Sequence, residues 1–113
     1  MWRERLPLVA EDEEGILGFV HVGPSEEQAV GEIYRLFVLP ERWGSGVGRA
    51  LMGRALEHLH TAGFGEAILW AHIDNLPARH FYESGGWRLD GVEKPVKSFG
   101  IPVMEVRYRI SLG

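Results

Sequence analysis

Apolar positions along this chain come in short runs divided by glycine and proline, and their period changes from run to run. Leu8 to Ala10 and Ile16 to Val22 flank Asp12-Glu13-Glu14-Gly15, a hairpin turn sequence, and read as two strands. Residues 25–31 are polar and read as a loop. Glu32 to Leu39 reads as the next strand, stopped by Pro40. From about Gly46 to Ala62 the spacing becomes helical: Val47, Leu51, Ala55 and Leu59 lie near one face, with Ala50, Met52 and Leu56 beside them, and Gly63 ends the pattern. Ala67 to Ile73 is apolar almost without interruption, as suits a strand buried on both faces. Strand, helix and strand then predict a right-handed βαβ unit. Pro77 sits where a first helical residue belongs, and a short helix runs to Ser84 before Gly85-Gly86. Trp87 to Asp90 begins a strand, and the polar stretch Gly91–Gly100, with Pro95, reads as a loop. Val103 to Leu112 alternates, with Met104, Val106, Tyr108, Ile110 and Leu112 facing one way, which predicts a half-buried antiparallel strand. Trp2 to Leu6 reads as the last turn of a helix.

Composition narrows the class. A length of 113 residues suits one domain, residues 1–113, able to bury roughly 65% of its unfolded surface without staples. Cysteine is absent, which suits a cytoplasmic protein and removes thiolate metal ligands. The net charge of −4 argues against nucleic acid as a partner. No apolar run reaches the ~20 residues of a membrane span, and the first residues lack the apolar core of a signal peptide.

The chemistry gathers at Trp43-Gly44-Ser45-Gly46-Val47-Gly48-Arg49. A strand that passes through a glycine-rich turn into a helix aims several backbone N–H groups at one place. The helix start adds a partial positive charge. Such a turn suits an anion, most naturally a phosphate or diphosphate. The dinucleotide fingerprint fails, because Arg49 stands at the third glycine position, and no Gly-Lys-Ser/Thr ends the turn as in a P-loop.

The turn resembles motif A of the GNAT acetyltransferase family, Q/R-x-x-G-x-G/A, with Trp43 in place of the Gln or Arg and with Gly46 and Gly48 at the anchor positions. A second segment, Asn75 to Trp87, resembles motif B of the same family, with Asn75, Ala78, Phe81, Tyr82, Gly86 and Trp87 in register. The resemblance covers residues 8–112. It implies an α/β (α+β) acyl-CoA N-acyltransferase fold: a mixed central sheet with flanking helices, whose central parallel strands, Glu32–Leu39 and Ala67–Ile73, splay apart. It also implies acetyl-CoA as co-substrate and a primary amine as acceptor, on a small molecule or a peptide. The family normally begins with a strand and two helices before the Leu8–Ala10 segment. Their absence here predicts an exposed sheet edge and with it a homodimer, a separate N-terminal piece, or a start placed too late. An acyl-CoA-binding module without acceptor turnover is the alternative reading.

Several residues take roles from this resemblance. Residues 43–49 would hold the diphosphate of coenzyme A, with Arg49 adding charge; otherwise Arg49 is an exposed helix residue and Arg42 merely solvated. Leu36, Phe37 and Val38 would supply backbone groups to the cofactor, one of them polarising the thioester carbonyl. The family carries a bulge in this strand, which leaves open which one. Asn75 would bond the pantetheine arm, or is a turn residue beside Pro77. Glu32 is the candidate general base, or a solvated strand-end carboxylate. Tyr82 is the candidate acid for the leaving thiolate, or a packed core tyrosine. Trp70 reads as core or as an acceptor contact. The five histidines carry no zinc pattern.

Overall fold

The computed structural model describes residues 6–113. Their elements are β1 (Leu6–Asp12), β2 (Gly15–Pro24), β3 (Val30–Val38), α1 (Val47–Thr61), β4 (Glu66–His72), α2 (Leu76–Ser84), β5 (Arg88–Ser98) and β6 (Ile101–Ser111), with a 3-10 turn at Pro40–Arg42. The helical turn expected over Trp2–Leu6 lies outside the described residues except for Leu6, which opens β1. The described residues fall into two compact units. The first ends at Ala67 and is rejoined by Ser111–Gly113; the second is Ile68–Ile110.

In the first unit β1, β2 and β3 follow one another as an antiparallel meander. Its first turn is held by Asp12, whose Oδ1 accepts the Glu14 N–H at 2.8 Å, the local bonding that makes Asp a turn residue. Along β2, Gly18, Val20 and Val22 are buried while Phe19 and His21 are half-buried, the alternation of a strand with one face on the core. Helix α1 packs on all three strands. It does so through Leu51, Met52, Ala55 and Leu59, each at most 4% exposed. Burial of one Leu or Met contributes about 1.5–3 kcal/mol, so this stripe holds the helix in place more than its intrinsic propensity does. The stripe is narrower than the sequence suggests, since Val47 and Leu56 are half-buried and Ala50 is exposed. Close approach is decided at Gly18. A Cβ there would lie 2.5 Å from the Phe37 carbonyl oxygen and 3.1 Å from Leu51 Cδ1, so a side chain would push β3 and α1 away.

The bulge expected in the third strand is present. His21 faces Arg35 but Val22 faces Ile33, which leaves Tyr34 as the extra residue of β3. The Tyr34 hydroxyl donates to the Pro24 carbonyl, so the bulged residue is tied to the end of β2.

In the second unit the strand order is β4-β6-β5, and the Ile73 N–H donates to the Met104 carbonyl at 2.9 Å. Ile68, Leu69, Ala71, Trp87, Val106 and Tyr108 form its core, none more than 7% exposed. Here the loop expected over Gly91–Gly100 is corrected. β5 continues to Ser98 and pairs antiparallel with β6 from Arg88↔Arg109 to Ser98↔Ile101, with a shift in register between Leu89 and Glu93. Phe99 and Gly100 make the two-residue turn, both at positive φ (53° and 79°), the left-handed pair that matches strand twist. Polar, exposed residues and Pro95 hid the strand. Proline is tolerated because β5 is the outer strand of this order, where a missing N–H need not break a ladder.

Candidate functional site

The glycine turn is built from the end of β3. The Leu39 N–H donates to the Leu17 carbonyl at 2.9 Å, and Pro40 turns the chain into its 3-10 segment. The Trp43 indole N–H donates back to the Val38 carbonyl at 2.9 Å, although the residue is 72% exposed. The Trp43 N–H bonds the Pro40 carbonyl at 3.1 Å and the Ser45 N–H bonds the Arg42 carbonyl at 3.1 Å, while the Ser45 hydroxyl donates to the same carbonyl at 2.5 Å. These two amides therefore close the turn and do not face outward. Arg42 is not merely solvated, since its Nη2 pairs with Asp12 Oδ2 at 3.0 Å.

Past Ser45 the geometry changes. Gly46 caps α1 at φ 95°, ψ −5°, without a side-chain cap bond. The first bond of the helical ladder runs from the Ala50 N–H to the Gly46 carbonyl at 2.9 Å. The N–H groups of Val47 and Gly48 lie in the first turn, where a helix has donors ahead of its own ladder. No acidic residue occupies the first turn, and a Cβ added at Gly44 or Gly46 would meet nothing within 4 Å. Open space thus lies beside a helix start with a partial positive charge and no carboxylate to neutralise it. That arrangement suits an anion such as a diphosphate, while the amides of Trp43 and Ser45 are already engaged within the turn.

Glu32, Leu36, Phe37 and Val38 all lie on β3. Glu32 is half-buried opposite Gly23. It stands six residues before Val38, a span of roughly 20 Å along a strand. Phe37 is 43% exposed and stacks on Phe19, with centroids 5.8 Å apart.

In the second unit α2 carries Asn75 and Tyr82. Asn75 is the helix cap, its side-chain oxygen accepting the Ala78 N–H at 3.3 Å, as a residue ahead of Pro77 can. Tyr82 is half-buried among aromatic rings, with centroids 5.6 Å from Phe81, 6.5 Å from Trp87 and 6.0 Å from Tyr108. Burial raises its hydroxyl above the ordinary tyrosine pKa. The sequence reading missed Arg79, Glu83 and Tyr108. The Arg79 Nε donates to the Tyr108 hydroxyl at 2.9 Å, and that hydroxyl donates to Glu83 Oε2 at 2.5 Å. One signal was present: Arg79 and Glu83 are four apart, neighbours on a helix.

Trp70 is half-buried, and its ring is covered by Lys94, whose Nζ lies 4.0 Å from the centroid, with the Arg107 guanidinium at 5.7 Å. Asp90 accepts from Arg107 Nε at 2.6 Å and from Arg109 Nε at 3.4 Å. Burial acts to raise the Asp90 pKa, but the Arg107 and Val92 hydrogen bonds outweigh it and hold the carboxyl below its ordinary value. A lowered folded-state pKa stabilises above the unfolded value, near ~3.9, and that stabilisation is lost as pH falls through the folded value. Asp90→Asn should therefore lower the melting temperature at pH 7 by about 5 °C, the effect of roughly 1 kcal/mol in a domain of this size. The difference from wild type should shrink as the pH is taken below about 4, as melting curves across pH would record.

A depression of about 330 Å³ opens beside His60, Gly63, Phe64, Gly65, Ser111 and Gly113. It lies at the opposite end of the 15-residue α1 from the glycine turn and holds none of the expected site residues. Among the described residues no group of three His, Cys, Asp or Glu is placed to hold a metal ion, and no helix is long and apolar enough to cross a membrane.

Known proteins share both the sequence pattern and the fold. Residues 1–87 match the Acetyltransferase (GNAT) family. The mycothiol acetyltransferase of Kocuria rhizophila is 39% identical over 92 residues, covering 75% of this chain and 30% of the relative. The chain thus spans about a third of the length of that relative. Nourseothricin acetyltransferase has a solved structure of TM-score 0.82 at 30% identity, covering 97% of this chain and 66% of the other. PaiA N-acetyltransferase from Thermoplasma acidophilum, solved in complex with coenzyme A, has a TM-score of 0.73 at 20% identity, covering 96% of this chain and 61% of that one.

Proposed function

Because this chain belongs to the GNAT acetyltransferase family and has its acyl-CoA N-acyltransferase fold, we propose that it moves an acetyl group from acetyl-CoA to a primary amine by direct attack. The observation that carries this reading is the Gly46-capped start of α1, with open space beside it and no acidic residue in its first turn. The backbone of Gly46, Val47, Gly48 and Arg49 holds the diphosphate. β3 then leads away for roughly 20 Å to Glu32, which suits an elongated ligand with its anionic group at one end and its reactive group at the other. Leu36, Phe37 and Val38 supply main-chain bonds along the way, one N–H polarising the thioester carbonyl. Asn75 contacts the pantetheine arm.

An alkylammonium, with a pKa near ~10, must lose a proton before it attacks. Glu32 takes that proton, directly or through water. The amine nitrogen then bonds to the acetyl carbon, the carbon–sulfur bond breaks as Tyr82 gives its proton to the departing thiolate, and the second proton shed by the nitrogen returns through water to the Tyr82 phenolate. The acceptor is a small-molecule amine, in keeping with a relative named for mycothiol.

Thermal shift with acetyl-CoA, followed by thiol release across a panel of small amines, tests this. Stabilisation by acetyl-CoA and turnover of at least one amine are expected. Glu32→Gln should then lower kcat about tenfold near neutral pH while the acetyl-CoA shift persists. Stabilisation without transfer to any amine would favour an acyl-CoA-binding module.

A further inference from the structure

We infer that Tyr108, Arg79 and Glu83 are positioning residues that orient the Tyr82 hydroxyl, an inference resting on the assignment of Tyr82 as proton donor. Tyr108 is fully buried on β6. Its hydroxyl accepts from Arg79 Nε at 2.9 Å and donates to Glu83 Oε2 at 2.5 Å. The Arg79 Nη1 donates to the Ile73 carbonyl at 2.9 Å, and its Nη2 lies 4.0 Å from Glu83 Oε2. One hydroxyl thereby joins the strand β6, two successive turns of α2 and the segment just before the Asn75 cap.

The arrangement constrains α2 in two ways. Contacts at residues 79 and 83 grip the helix one turn apart, which sets both its roll and its position along its axis. Tyr82 is the neighbour of Glu83, and its ring packs 6.0 Å from that of Tyr108. The network also separates the roles of the two tyrosines. The single proton of Tyr108 is committed to Glu83 and its oxygen to Arg79, so Tyr108 has no proton to give a thiolate. The Tyr82 hydroxyl takes no part in the network. Bonds that involve a charged partner are about twice as strong as neutral ones and are directional. They can hold a helix to an orientation that apolar packing alone tolerates only loosely.

Steady-state kinetics on a double-mutant cycle tests the inference, using acetyl-CoA and the panel amine that turns over fastest. Tyr108→Phe should lower kcat about tenfold and leave KM for acetyl-CoA within about twofold. In a Tyr82→Phe background the same change should have no further effect, because the group being positioned is gone. Arg79→Lys, which cannot reach Ile73 and Tyr108 together, should repeat both results and serves if Tyr108→Phe does not fold. Full kcat in Tyr108→Phe or Arg79→Lys, or an equal loss with and without the Tyr82 hydroxyl, overturns the inference. If Tyr82→Phe alone keeps wild-type kcat, the donor assignment fails first and this inference falls with it. Absence of turnover with every amine removes both along with the proposed function.

Discussion

Tyr82→Phe should lower kcat by about 100-fold while KM for acetyl-CoA stays within about twofold, the signature of a group that acts only as the thiolate leaves. The substitution removes one oxygen and keeps the ring, so the packing against Phe81, Trp87 and Tyr108 survives it. A tyrosine hydroxyl is protonated across the neutral range, and burial raises the Tyr82 pKa further, so its proton is on hand for the thiolate and moves only as the carbon–sulfur bond breaks. A raised pKa leaves the donor intact below about 10 and removes it as pH rises through the folded value, so wild-type kcat should fall on that alkaline limb. The same limb should be missing from Tyr82→Phe.

Stability runs in the same direction. Burial raises the Tyr108 pKa as well, with the Glu83 bond adding to it and Arg79 opposing it. The stabilisation linked to both hydroxyls is present below the unfolded value near ~10 and lost above it. Melting curves at each pH separate loss of the donor from loss of the fold. A Tyr82→Phe enzyme with wild-type kcat at every pH would remove this residue from the reaction.

Gly46→Asp should weaken acetyl-CoA binding by about 100-fold, equivalent to ~2.7 kcal/mol. Two effects combine. At φ 95° an L-residue is strained by roughly 1–2 kcal/mol. A carboxylate placed at the start of α1 would also repel the phosphates proposed to bind there. Gly46→Asn separates the two, since asparagine tolerates the left-handed region and adds no charge; its loss should be clearly smaller. Titration calorimetry with acetyl-CoA reads both. An Asp variant that binds as tightly as wild type would mean that the diphosphate lies elsewhere.

Much of this was legible in the order of residues. The periodic stripe Leu51, Ala55, Leu59 announced α1, because a helix of this length is held by its apolar face. The glycines at 44 and 46 announced the turn, because few other residues permit its left-handed backbone (φ 80° and 95°). Pro77 marked the start of α2, because its fixed φ suits the first turn of a helix. Where the reading failed, the deciding energy was not local. β5 is polar and carries Pro95, and only pairing with β6 makes it a strand. Trp43 and Ser45 belonged to the candidate donors by position, yet their amides are taken by Pro40 and Arg42. Tyr108 was legible as an inward-facing residue of an alternating strand, but not as the partner of Arg79 and Glu83, 29 and 25 positions away.

What the amino-acid order settles unaided is therefore most of the elements and the glycine turn that leads into α1, since backbone permission and short-range periodicity act between residues a few positions apart. What waits for the folded chain is which amides remain to face a ligand and which tyrosine has a proton to give. Both depend on hydrogen-bond partners brought together by the fold, and a donor already engaged inside the protein offers nothing to a substrate.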